Sequence, residues 1–392
     1  MPPRRSHRKS HNGCLQCKRR HVKCDEQRPT CGPCTKRELT CHFQPNTGFE
    51  NGQSPSDGAI DPLLRERSHG PLPARTLELK LLHHFITSAY KTFYPRESDV
   101  HCWQVHIPDM AFEHTFLLDG LLAMSALHLA HLEAGAKKSW LQTALRYQDL
   151  TLAGLNKALC RISSENCEAV AVCSIFVLVL SIAIPGVCND PDDEASRNPL
   201  ADLLGLRKLL EGMELVIQQS EVVLRNGVLK DFFLPMFDPD AVKPRPVVPG
   251  VEEVALANGQ RLCPQILESL HRLRNDITKS TTHTKDHQTS LLQACTSLSD
   301  IISPLSTLSH GPAITWPHKI SPSIFSLLER SDPLACLLFL HYGVVLDIFS
   351  YWWFTRNAGR RLVRALGVYE KGIDGEWREW VGWAKRTVGI VN

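Results

Sequence analysis

No apolar run follows the charged start of the 392-residue sequence, so no secretory signal is visible and a reducing compartment is the expectation. Strand-like alternation and a βαβ rhythm are missing, which leaves an all-α chain as the predicted fold class. No apolar stretch reaches the roughly 20 residues that a bilayer-spanning helix needs. The longest, Ala169 to Ile184, is read as a buried helix closed by Pro185-Gly186, and no membrane span is expected. Neither a Ser/His/Asp set nor a Gly-rich phosphate loop is found, so an enzyme is not predicted. The stretch over 46–74 shows no sustained a/d heptads, so dimerisation through it is unsupported and the oligomeric state stays open.

What is present is concentrated at one end. Six of the fourteen cysteines stand at Cys14, Cys17, Cys24, Cys31, Cys34 and Cys41, two halves that each read Cys-x2-Cys-x6-Cys. In a reducing compartment these are metal ligands in expectation, and a disulfide knot is disfavoured; RING and LIM modules use histidines and other spacings. Two tetrahedral zinc ions need eight ligand positions, which six thiolates fill only if two sulfurs bridge. Every position is then a protein thiolate, so two Zn2+ ions would be structural and not catalytic. The segment has only Leu15, Val22, Leu39 and Phe43 as sizeable apolar groups, so metal must supply the folding free energy, of order 10 kcal/mol per ion.

Charge follows the cysteines. Residues 1 to 45 carry eleven Lys/Arg against three Asp/Glu, while the whole chain is only +3, so the remainder is mildly acidic. Such asymmetry points to a polyanion partner for the basic end. The run Lys18, Arg19, Arg20, His21, Lys23 lies between the second and third cysteines, where a short helix would offer donors to phosphates and base edges. Arg4, Arg5, Arg8 and Lys9 form a basic arm, read as a phosphate-contacting or nuclear-import segment.

Cluster spacing and basic run together resemble the binuclear zinc cluster of fungal transcription factors. The resemblance implies that Cys14 and Cys31 are the bridging thiolates and that Pro29 shapes the loop between halves. It also implies a helix after Cys17 reading a CGG-type triplet of GC-rich double-stranded DNA, with Arg20 and His21 toward bases and Lys18 and Lys23 toward the backbone. His21 departs from the family's usual Lys or Arg. The family further implies a regulator of RNA polymerase II genes, in the nucleus, with the transcription machinery as partner.

Residues 46–74, rich in Gly, Pro, Ser and Asn, read as a linker, and 75–392 as an all-helical effector domain. Within it, helices are predicted over 77–93, 108–134, 137–162, 200–219, 263–279 and 289–302, with an extended connection over 235–258. The eight other cysteines are read as buried small hydrophobes. His128 and His131 are three apart on one helix, but with no third ligand in view they are read as packing or surface residues. Trp377, Trp380 and Trp383 are read as packing and Arg360, Arg361 and Arg364 as a solvated basic face. The segments Asp332-Pro333-Leu334, Tyr351-Trp352-Trp353 and His83-His84-Phe85 resemble the effector domain of sterol uptake control factors. That resemblance implies a helical bundle with a pocket for a sterol or other apolar ligand, regulation of sterol uptake or biosynthesis, and cytoplasmic residence when inactive. The same domain type occurs in regulators of secondary-metabolite gene clusters, the alternative pathway. A lipid-binding or scaffolding protein with a zinc module for protein contacts is the alternative of another class.

Overall fold

The computed structural model describes residues 14–20, 22–43, 74–93, 99–188, 199–238, 252–303, 310–367 and 376–390, and among these no strand occurs. The chain divides into two compact units, residues 1–71 and 72–392. Residues 46–73 of the predicted linker, the basic arm and His21 lie outside the described residues, and the last linker position, Ala74, opens the first helix of the second unit.

The first unit holds two short helices, α1 (Leu15–Arg19) and α2 (Gly32–Thr35), each opening on the first cysteine of a half. Cys14 caps α1 with its sulfur, which accepts from the Cys17 N–H at 3.4 Å.

The second unit begins with α3 (Ala74–Thr87), α4 (Ile107–Glu113), α5 (Thr115–Leu132), α6 (Lys137–Leu159) and α7 (Cys167–Val187). It continues through α8 (Pro199–Gln219), α9 (Glu221–Asn226), α10 (Lys230–Phe237), α11 (Glu252–Lys279) and α12 (Lys285–Ile302). α13 (His310–Lys319), α14 (Pro322–Glu329), α15 (Pro333–Ile348), α16 (Ala358–Leu366) and α17 (Glu376–Thr387) complete it. Helices α5, α7 and α15 are apolar around most of their circumference, so each must be surrounded. α5 is packed by α3, α4, α6 and α7, while α15 is packed by α11, α16 and α17. Every residue from Leu121 to Ala130 is buried. The start of α15 is fixed by its own sequence: Asp332 accepts from the Leu334 and Ala335 N–H groups, both at 3.1 Å, and Pro333 follows at the first helical position. α15 and α16 approach so closely that a Cβ on Gly359 would lie 2.3 Å from the Gly343 carbonyl oxygen.

Several boundaries differ from expectation. The predicted helix over 77–93 ends at Thr87 and passes into a 3-10 turn over Ala89–Phe93. The predicted 108–134 helix breaks at His114, whose extended backbone (φ −123°, ψ 96°) separates α4 from α5. Pro235 lies inside α10 and α11 begins at Glu252, so the extended connection over 235–258 is helical at both ends. Pro185 does not close α7, because a proline in the last turn forfeits a single bond and Cys188 N–H still reaches the Ile184 carbonyl at 2.9 Å.

That extension matters for membranes. At 21 residues α7 is long and apolar enough to cross one, as is the 18-residue α5, and the pair α14 and α15, bent by 106°, passes the same test together. The length argument from sequence therefore fails. What distinguishes α5 and α7 is their neighbours, since 67% of each apolar window is buried within the protein.

Candidate metal centre and nucleic-acid interface

The six cysteines converge. Cys14 Sγ lies 3.5 Å from Cys31 Sγ and 3.7 Å from Cys34 Sγ, and Cys17 Sγ lies 3.6 Å from Cys31 Sγ. Four sulfurs at roughly 2.3 Å around a tetrahedral zinc stand roughly 3.8 Å apart, so the spacing fits that ion. Two groups of four are close enough to hold a metal: Cys14, Cys17, Cys24 and Cys31, and Cys14, Cys31, Cys34 and Cys41. Cys14 and Cys31 occur in both, which is the sharing that six ligands around two ions demand. All but Cys41 are buried.

The halves repeat in their bonds as well. Cys14 N–H donates to Cys24 Sγ and Cys31 N–H to Cys41 Sγ, each at 3.4 Å. Burial pushes the Cys17 thiol up to about 12 and also raises Cys31 and Cys34. For Cys14 burial acts the same way, yet the Cys17 N–H and the neighbouring sulfhydryls outweigh it and bring the thiol down to about 6. Metal binding must displace protons from this set, so metal affinity is lost as pH is lowered.

The basic run is only partly helical. α1 stops at Arg19, Arg20 caps it through an N–H bond to the Gln16 carbonyl at 3.1 Å, and Val22 and Lys23 continue outside the helix. Lys18, Arg19 and Lys23 are exposed and Arg20 half-buried. These cations thus share the outside of a fold whose inside is sulfur.

A fungal Zn(2)-Cys(6) binuclear cluster domain matches residues 12–48, and a fungal specific transcription factor domain matches residues 80–201. Over these residues the chain is similar to the fungal Zn(2)-C6 transcription factors. The cluster domain of this family binds two zinc ions. A Zn(2)-C6 fungal-type transcription factor of Aspergillus fumigatus is 34% identical over 185 residues, 45% of this chain and 48% of that protein. A Zn(2)-C6 fungal-type transcription factor of Gibberella zeae is 23% identical over 98% of this chain and 87% of its own length. Sterol uptake control protein 2 of Candida albicans is 62% identical over 40 residues, 10% of this chain and 6% of that protein. The chain thus spans about half the length of the Aspergillus relative and most of the Gibberella one. Matched domains and relatives alike are those of transcription factors, not of enzymes.

The other sequence candidates resolve into packing. Among the described residues, the two cysteine groups are the only side-chain sets close enough to hold a metal, so His128 and His131 do not form one. His128 is buried, and its Nδ1 lies 2.9 Å from His84 Nε2. Burial, with the charges of His84 and His131, brings it down to about 4. Trp380 and Trp383 lie against His341, and Trp383 Nε1–H donates to Gln265 at 2.9 Å. His341 is wholly buried, bonded to Ser269 and to the Leu337 carbonyl, a satisfied core pair that sequence reasoning missed because its partners lie on separate helices. Cys160 is exposed and Cys188 half-buried, against the expectation of burial for both. The arginines are not simply solvated: Arg361 pairs with Asp202, and Arg360 donates to the Gly389 carbonyl.

Proposed function

We propose that Cys14, Cys17, Cys24, Cys31, Cys34 and Cys41 hold two zinc ions, with Cys14 and Cys31 bridging. Around that scaffold, Lys18, Arg19, Arg20, His21 and Lys23 contact double-stranded DNA, and the chain regulates RNA polymerase II genes from the nucleus through the transcription machinery. The observation that carries this reading is the membership of Cys14 and Cys31 in both four-sulfur groups, beneath an exposed cationic surface. The zinc supplies rigidity. The chain's own residues supply recognition, with Arg20 directed to base edges of a GC-rich, CGG-type triplet and Lys18 and Lys23 to phosphates. We read α5 and α7 as core helices of the effector unit and not as membrane spans.

Fluorescence anisotropy with short duplexes tests it. Affinity for a CGG duplex should fall steeply with ionic strength, and Arg20→Ala should erase preference for that triplet over a scrambled one. Lys23→Ala should weaken both duplexes alike. Equal behaviour of the two variants, or full affinity after zinc removal, would overturn the assignment. For the pathway, sterol uptake is supported only by short likenesses such as the 40-residue match to the Candida protein. Mapping of bound promoters in cells decides between sterol genes and a secondary-metabolite cluster.

A further inference from the structure

Each bridging cysteine is followed by a residue whose N–H needs an acceptor at the start of a short helix, and the two halves satisfy it crosswise. Leu15 N–H, after Cys14, donates to the His42 carbonyl at 2.9 Å. Gly32 N–H, after Cys31, meets both carboxylate oxygens of Asp25, at 3.0 and 3.1 Å. His42 follows the last cysteine of the second half and Asp25 follows the last cysteine of the first. In each case the residue behind a half's third ligand reaches across to the N–H behind the other half's bridging ligand. One crossing bond is made by backbone and the other by a side chain, so the second alone can be removed by substitution.

We propose that Asp25 is a positioning residue for the binuclear metal centre, a latch that fixes Cys31 against the Cys24 loop through Gly32. The inference rests on the reading of the six cysteines as zinc ligands. Two features of the site bear on it. A Cβ on Gly32 would lie 2.5 Å from Asp25 Oδ2, so with this glycine the carboxylate sits in the place that a side chain would contest. Six thiolates around two divalent cations also carry net negative charge, so a carboxylate beside them serves as a hydrogen-bond acceptor and not as a counter-charge. An amide oxygen can serve equally.

The test is zinc retention by the full chain against a graded chelator with a zinc-responsive dye, and cobalt substitution read by its absorption bands. Asp25→Ala should release metal at about five-fold lower chelator, the factor that a lost helix N-cap of about 1 kcal/mol produces. Asp25→Asn should restore retention to within two-fold of the parent, roughly the tolerance left by swapping one cap acceptor for another. Gly32→Ala should weaken retention in the parent but much less in Asp25→Ala, because the second change removes the atom that the new methyl strikes. Retention by Asp25→Ala equal to the parent, failure of Asp25→Asn to rescue, or equal cost of Gly32→Ala in both backgrounds would overturn the latch. A parent chain that binds no zinc would overturn the ligand assignment itself, which separates the two failures.

Discussion

In residues 14–43 the side chains at 0% exposure are those of Cys14, Cys31 and Cys34, while Leu15 and Val22 stand 46% and 42% exposed. In the helical unit the order is reversed. Trp316, Phe85, Phe176 and Phe339 are fully buried, and Cys173, Cys295 and Cys336 lie among them as small apolar fillers whose thiols burial raises. The same residue type is thus placed to hold a metal where sulfurs gather within 3.5 to 3.7 Å and packs as a hydrophobe where they are scattered. Local density of cysteine, and not cysteine itself, decides which role is played. One unit must take its stability from metal and the other from area removed from water.

Perturbations that strike one unit and spare the other sharpen this contrast. The largest effect is expected from Cys14→Ser, which withdraws a sulfur from both four-ligand groups. DNA affinity should fall at least about 100-fold, a loss consistent with a module that cannot fold without its metal, while the main thermal transition of the helical unit stays put. A shift of that transition in calorimetry would show the units to be coupled. Next, Phe176→Ala in α7 removes a ring packed against Phe85 and Trp103 and should cost about 3–5 kcal/mol. The helical transition should drop by many degrees with zinc stoichiometry unchanged.

Acid should separate the units by mechanism. His128 and His341 are each held neutral, down to about 4, chiefly by burial. Below their ordinary value near 6.5 the unfolded chain takes up protons that the folded chain refuses, so the helical unit loses stability as pH falls from about 6.5 toward 4. His128→Gln should flatten part of that slope in urea titrations at several pH values, and an unchanged slope would remove His128 from the account. The smallest effect belongs to Arg361→Ala, which breaks the pair with the part-exposed Asp202. About 0–1 kcal/mol is expected, and the denaturation midpoint should scarcely move.

The metal centre was legible because its information is local: six cysteines in 28 residues, with a cationic run between them, need no tertiary contact to be recognised. The helical class was legible for the same reason, from apolar residues recurring around single helices. Boundaries were not. His114 divides α4 from α5 through its extended backbone, which no composition signal marks, and Pro185 sits where a helix can tolerate it only because one turn remains. Contacts between distant segments were hidden entirely. The His84–His128 pair joins residues 44 apart, Ser269–His341 joins residues 72 apart, and the Asp25–Gly32 latch appears only when the two halves are folded onto each other.

The membership of Cys14 and Cys31 in both sulfur groups makes the six sulfurs unequal in what a single chemical lesion would do. Oxidation or alkylation of either one would strike both groups at once, whereas a lesion at Cys17, Cys24, Cys34 or Cys41 would strike one. The extent of damage would then depend on which sulfur is hit and not on how many.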